Sequence, residues 1–198
     1  MPAREILMPK DRLVAFSDGV IAVIITIMVL ELKVPHGEAL ESVLPLLPVF
    51  LSYVLSFIYV GIYWNNHHHM FQAAEHVHGG ILWANLHLLF WLSLIPFATG
   101  WMGENHAASL PVAVYGLVLL FAAIAYTILT WVLVRNHGPD SLLAKSAGLR
   151  LKGILSIVLY VTAIALAFVN PWISCALYVV VALSWFIPER AIEREMAR

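Results

Sequence analysis

Asp18 is an acidic side chain inside an apolar run near the start of the chain, in Arg12-Leu-Val-Ala-Phe16-Ser17-Asp18-Gly19. A carboxylate deep in a bilayer costs about 2.5–3.5 kcal/mol on insertion scales, so such groups pair with a partner or face a wet cavity. Asp18 is therefore either a hydrogen-bonded anchor between helices or a ligand for protons or cations. Histidines form the second set: His67, His68 and His69 in a row, then His76, His78 and His87, with Glu75 as the nearest acid. Histidine titrates near neutral pH and ligates metals. Di-iron membrane hydroxylases, however, spread several spaced histidine boxes over separate segments, whereas here one compact run has little acidic support. These histidines read first as network or interfacial groups, then as a pH-sensitive element, and last as a metal site. Ser52, Ser56, Tyr59 and Tyr63 form a polar stripe leading into Trp64-Asn65-Asn66, and Asn85 stands in another apolar run. Unsatisfied polar groups are costly in lipid, so these residues are candidate partners for Ser17 and Asp18.

The elements that must position these groups follow from the charge map. Of 198 residues, 62% are hydrophobic and 12% charged, with a mean hydropathy of +0.87. Soluble domains run nearer about 25% charged, so a water-soluble single domain is excluded. The formal net charge of -1 offers no basic field for nucleic acid, and the single cysteine, Cys175, excludes an internal disulfide framework. The segment 1–12 shows no signal-peptide pattern. Residues 13–30 hold one charge, Asp18, and 43–64, 81–103, 110–134 and 153–187 hold none. The first four stretches suit one crossing each, at about 20 apolar residues per crossing. The fifth is too long for one, and Asn170-Pro171 divides it, because proline disfavours helix before it and suits a helix start.

Six crossings place Arg4, Lys10, Arg12, Arg135, Lys145, Arg150, Lys152, Arg190, Arg194 and Arg198 on one side and only Lys33 on the other. This asymmetry predicts that both termini are cytoplasmic. The expected organisation is an all-α, polytopic six-helix channel domain over 1–188 and a short charged cytoplasmic tail over 189–198. No Walker phosphate loop and no TVGYG filter is present, which excludes a self-contained ATP-driven pump and the usual carbonyl filter of potassium channels.

On the first helix, at about 100° per residue, Asp18, Ala22, Ile25 and Val29 share one stripe. Val23, Ile27 and Leu30 share another about 140° away, with Thr26 on its flank. Small Gly19 and Ala22 beside Asp18 allow close helix approach. The Asp18 stripe is therefore expected to pack against protein, leaving the apolar stripe free.

Arg12-x-x-x-Phe16-Ser17-Asp18 at the head of a membrane helix resembles the signature of the transmembrane-protein-175 family of potassium channels. Gly61-x-x-Trp64-x-x-His67-His68, Trp83-x-Asn85-Leu86 and Pro96-Phe97-x-Thr99 follow in the same order. The resemblance covers nearly the whole chain. It implies one six-helix repeat, a homotetramer in a prokaryotic plasma membrane, and a pore lined by the first helix. It further implies a constriction at Val23, Ile27 and Leu30, with Thr26 as a polar layer. Behind that helix it implies a packing network of Arg12, Phe16, Ser17, Asp18, Trp64, His67, His68 and Asn85. Val23 departs from the isoleucine or leucine more often found in the family, which either widens the ring there or moves the narrowest point to Ile27 or Leu30.

The expected function is passive, potassium-selective conduction. An apolar constriction makes an ion shed part of its hydration shell, which potassium does more readily than sodium. The partners are the lipid bilayer and copies of the chain, with no nucleic acid. No cofactor, catalytic residue or bound metal is expected, with potassium only as the permeant ion. The competing readings are a proton-coupled or proton-permeable transporter using Asp18 and the histidine cluster, and a membrane metalloenzyme using the histidine run. Against the first, transporters usually show internal repeats and helices broken at mid-membrane, and the first helix has no proline and no mid-span break.

Overall fold

The computed structural model describes residues 10–74, 76–137 and 147–186, and all of its regular elements among these are helical. They are α1 (Lys10–Leu30), α2 (Leu47–Gln72), α3 (Gly79–Ser93), α4 (Ile95–Glu104), α5 (Ser109–His137), α6 (Ala147–Leu166) and α7 (Pro171–Phe186), with two single 3-10 turns before α2. The spans Lys10–Leu30, Leu40–Gln72, Gly79–Glu104 and Ser109–His137 are long and apolar enough to cross a membrane, while the apolar parts of α6 and α7 are shorter. Counting α3 and α4 as one interrupted crossing, the chain is a six-helix membrane protein. The boundary expected at 188 and the tail lie outside the described residues.

Prolines punctuate the helices. Pro48 and Pro96 occupy the first turns of α2 and α4, and Pro171 opens α7, where a missing N–H breaks no helical bond. The α6–α7 turn falls at Asn170-Pro171, and the Asn170 side-chain oxygen accepts the Trp172 N–H at 3.0 Å. The third crossing differs from the continuous helix expected over 81–103. It breaks at Leu94, whose N–H bonds Trp91 O at 3.2 Å in a tighter turn. Pro96 cannot donate to the preceding turn, so the helix restarts as α4. The second crossing also runs past 64: α2 continues to Gln72, so Trp64–His69 are helical.

α5 carries much of the core. Leu119, Ala122, Ala125, Leu129 and Leu133 are fully buried, facing Val60, Leu92, Ile95, Ala163 and Tyr178 of the surrounding helices. A Cβ on Gly116 would lie 2.1 Å from the Tyr178 hydroxyl. Glycine there lets α7 approach closely enough for that hydroxyl to donate to Val112 O at 3.0 Å. Buried hydroxyls tie the other helices together. Ser56 Oγ lies 2.6 Å from Thr99 Oγ1 and 3.0 Å from Tyr115 Oη, and Tyr59 Oη donates to Tyr178 O at 2.5 Å. The polar stripe of α2 thus faces protein, because lipid offers these groups no partner.

Candidate pore helix and its packing network

α1 divides into two faces. Leu13, Ser17, Ile21, Ile24 and Met28 are buried against the bundle. Ala15, Phe16, Gly19, Ala22, Val23, Thr26, Ile27, Val29 and Leu30 are exposed. Val23 is 54% exposed, Ile27 42% and Leu30 80%, and Thr26 Oγ1 donates to Val23 O at 2.9 Å. The apolar stripe thus points away from the bundle core. The packed stripe is a correction, because it runs through Ser17 and not Asp18. Asp18 and Ile25 are half-buried, while Ala22 and Val29 are exposed. The packed face lies about 100° round the helix from the expected one.

Hydrogen bonding accounts for this rotation. The Ser17 hydroxyl donates to Leu13 O at 2.8 Å within its own helix and accepts from Asn85 Nδ2 at 2.9 Å. It can therefore be wholly buried at little cost. Asn85 Oδ1 is then left as an acceptor for His67 Nε2 at 2.8 Å, which puts the proton of neutral His67 on Nε2. His67 Nδ1 is buried without a partner among the described residues. The His67 ring packs on Phe71 at 4.6 Å between centroids. Asp18 is held from the flank, where Trp64 Nε1 donates to its Oδ1 at 3.0 Å. His68 stacks against that indole at 5.9 Å and hydrogen-bonds Gln72 at 2.8 Å. The structure thus joins Ser17, Asn85 and His67 in one chain of bonds, and Asp18, Trp64 and His68 in a second. Arg12 and Phe16 belong to neither, and both are exposed.

The remaining histidines are dispersed. His78 Nδ1 accepts the Gly80 N–H at 3.0 Å and caps α3, and His87 accepts from Trp91 Nε1 at 3.0 Å. His137 accepts the His76 backbone N–H at 3.3 Å. Glu75 lies outside the described residues. Among the described residues no three His, Cys, Asp or Glu side chains gather closely enough to hold a metal ion.

Two features between α1 and α4 escaped the sequence reading. Lys33 Nζ lies 2.6 Å from Glu104 Oε1, joining the segment after α1 to the end of α4. The Glu104 carboxylate holds the Lys33 ammonium above its ordinary range. The residues are 71 apart in sequence, and only the return of α4 beside α1 brings them together. The second is a groove of about 960 Å³ between α1 and α4. Val23, Ile27 and Phe16 line one wall, Pro96, Phe97 and Gly100 the other, with Glu31 and Glu104 at its rim.

Residues 12–96 match the family described as endosomal/lysosomal potassium channel TMEM175. A potassium channel of Chryseobacterium sp. (strain P1-3) is 57% identical over 189 residues, covering 96% of this chain and 98% of that protein. The chain belongs to the TMEM175 family. A potassium channel of Streptomyces collinus is 31% identical over 88% of this chain and 90% of its own length. The crystal structure of a lysosomal potassium-selective channel TMEM175 homolog from Chamaesiphon minutus superposes with a TM-score of 0.77 at 29% identity, covering 89% of this chain and 95% of that one. The TMEM175 family is one of ion channels, not enzymes, so the metalloenzyme reading has no support in either the geometry or the relatives. The matched span begins at Arg12 and ends at Pro96. It therefore takes in α1, α2, α3 and every residue of the two bonded chains.

Proposed function

We propose that this TMEM175-family chain is a potassium-selective cation channel, conducting passively through a central pore lined by α1. It assembles as a homotetramer in a prokaryotic plasma membrane, with both termini cytoplasmic. The observation that carries the reading is the division of α1. One face is anchored by the Ser17–Asn85–His67 bonds, and the other turns Val23, Thr26, Ile27 and Leu30 away from the bundle core. Four copies around an axis close a ring in which these positions form successive layers. Val23, Ile27 and Leu30 make its apolar constriction, and the Thr26 hydroxyls replace some of the water an ion sheds there. The groove between α1 and α4 gives a neighbouring α1 a complementary apolar wall.

The bacterial relatives named as potassium channels and the potassium-selective homolog structure support this reading over a proton-coupled transporter. The groups a transporter would use hold structural bonds here: Asp18 accepts from Trp64, and His67 is tied to Asn85. The test is a reversal-potential measurement in liposomes under opposed potassium and sodium gradients. The expected reversal lies toward the potassium equilibrium potential. A reversal set by the proton gradient would replace this reading with the transporter.

A further inference from the structure

The exposed side of α5 changes chemistry in a fixed order along its length. Leu117, Ile128, Trp131 and Arg135 are all exposed, with half-buried Phe121 and Ile124 between them. At about 100° per residue these positions fall within about 40° of one line. The exposed positions of this stripe therefore run from aliphatic Leu117 and Ile128 through aromatic Trp131 to cationic Arg135, toward the basic end of the bundle. α5 has 29 residues, or about 43 Å of helix against a hydrocarbon core of about 30 Å, so its last turns stand beyond the acyl region. Arg135 Cζ lies 5.3 Å from the centre of the Trp131 ring. That contact holds the guanidinium over the indole at the level where tryptophan favours the membrane interface. Among the described residues no carboxylate pairs with Arg135 and the Trp131 indole N–H has no acceptor. On α6, which packs against α5, Leu151, Ile154 and Leu155 are exposed apolar side chains.

We propose that Arg135 and Trp131 form a binding site for the phosphate of an anionic phospholipid, with its acyl chain lying along Ile128 and Leu117. The guanidinium fork matches phosphate oxygens bidentately, and the indole N–H, without an acceptor among the described residues, offers a further donor. The order of aliphatic, aromatic and cationic groups matches the order of acyl chain, interface and phosphate in one leaflet. The basic asymmetry of the chain makes that the cytoplasmic leaflet. The site rests on the membrane reading of the chain and not on its ion selectivity.

The experiment is native mass spectrometry of the full-length protein after equilibration in vesicles of phosphatidylglycerol and phosphatidylcholine at equal proportion. The wild type is expected to retain phosphatidylglycerol in preference. Arg135→Gln should weaken that retention about fivefold, the worth of one basic residue at a charged surface. Arg135→Lys should fall between, keeping the charge without the fork. Lys33→Gln, at the opposite end of the bundle, should leave retention unchanged. Equal retention by Arg135→Gln and the wild type would overturn the site. Loss of oligomer mass in Arg135→Gln with lipid retention unaltered would overturn it too, and would make the stripe a contact between copies of the chain. Phosphatidylglycerol retention in a protein without potassium selectivity would refute the channel reading alone.

Discussion

Ser17 and Asp18 are neighbours in the sequence and differ in what they hold. Ser17 is the buried hub, linked to Leu13 O and Asn85, while Asp18 takes one indole N–H at the edge of the packed face. Their substitutions separate accordingly. Asn85→Leu leaves the His67 Nε2 proton without its acceptor and removes the donor to Ser17 Oγ inside the bundle, and should destabilise the protein by about 1–3 kcal/mol, read as a lower thermal midpoint in detergent. Asp18→Asn keeps an acceptor for Trp64 and removes the charge. A modest loss of stability with unchanged potassium preference is expected, read by size exclusion and reversal potential together. On the free face, Ile27→Asn should wet the constriction, raising leak and lowering the preference for potassium over sodium without loss of fold. Its control is Ile24→Asn, because Ile24 is 3% exposed. That change buries an unpartnered amide and should abolish folded protein. Altered selectivity in a folded Ile24→Asn, with none in Ile27→Asn, would mean that the pore faces the other side of α1.

At the scale of elements, the close approach of α5 and α7 is set by one missing methyl. Gly116→Ala places a carbon where the Tyr178 hydroxyl now sits, and overpacking of this kind costs about 1–3 kcal/mol. Tyr178→Phe should partly rescue it by removing the clashing oxygen, and thermal unfolding of the single and double variants measures this. The Lys33–Glu104 pair belongs to the same scale, since it clips the end of α1 to α4. Its Lys33 pKa is raised. The contribution from Lys33 is therefore present at and below the unfolded pKa of 10.5 and lost only as pH rises through the higher folded value. Stability should thus be insensitive to Lys33 titration across neutral pH. Both side chains are exposed, and Lys33→Gln should shift the thermal midpoint little, because water and salt screen an exposed ion pair.

For the whole molecule, α1 turns an apolar face away from its own bundle, and the proposed conduction path along it closes only when several copies surround an axis. The expected assembly is four chains of 22.0 kDa, measured as a mass in mild detergent. A stable monomer or dimer that still conducts would refute the ring. The exposed surface of the single chain is rich in large apolar side chains, among them Phe97, Trp83, Leu151 and Trp172. In the proposed tetramer some of these would face lipid and others neighbouring copies. The wall of the groove formed by Phe97 and Gly100 is expected to lose solvent accessibility on assembly. Cysteine labelling at position 97, in the oligomer against a dissociated form, tests this directly.

How much was legible depended on the range of the interaction involved. Apolar stretches free of charge, the proline at 171 and the one-sided basic residues are local or one-dimensional signals. They were sufficient for the six crossings, the α6–α7 turn and an apolar stripe at 23, 27 and 30. The family motifs marked Arg12, Phe16, Ser17, Asp18, Trp64, His67, His68 and Asn85 as one network, whereas the structure divides six of them between two chains of contacts and leaves Arg12 and Phe16 in neither. The rotation of α1 was not legible, because charge pointed to Asp18 as the packed residue. Burial instead favours the side chain whose hydrogen bonds can all be met inside, and Ser17 meets its bonds through its own helix and through Asn85, 68 residues away. The break before Pro96 was written in the sequence but passed over, since charge-free length alone suggested a single helix. The Lys33–Glu104 clip and the approach at Gly116 depend on which helices lie side by side. No spacing along the chain encodes that, and only the packed bundle decides it.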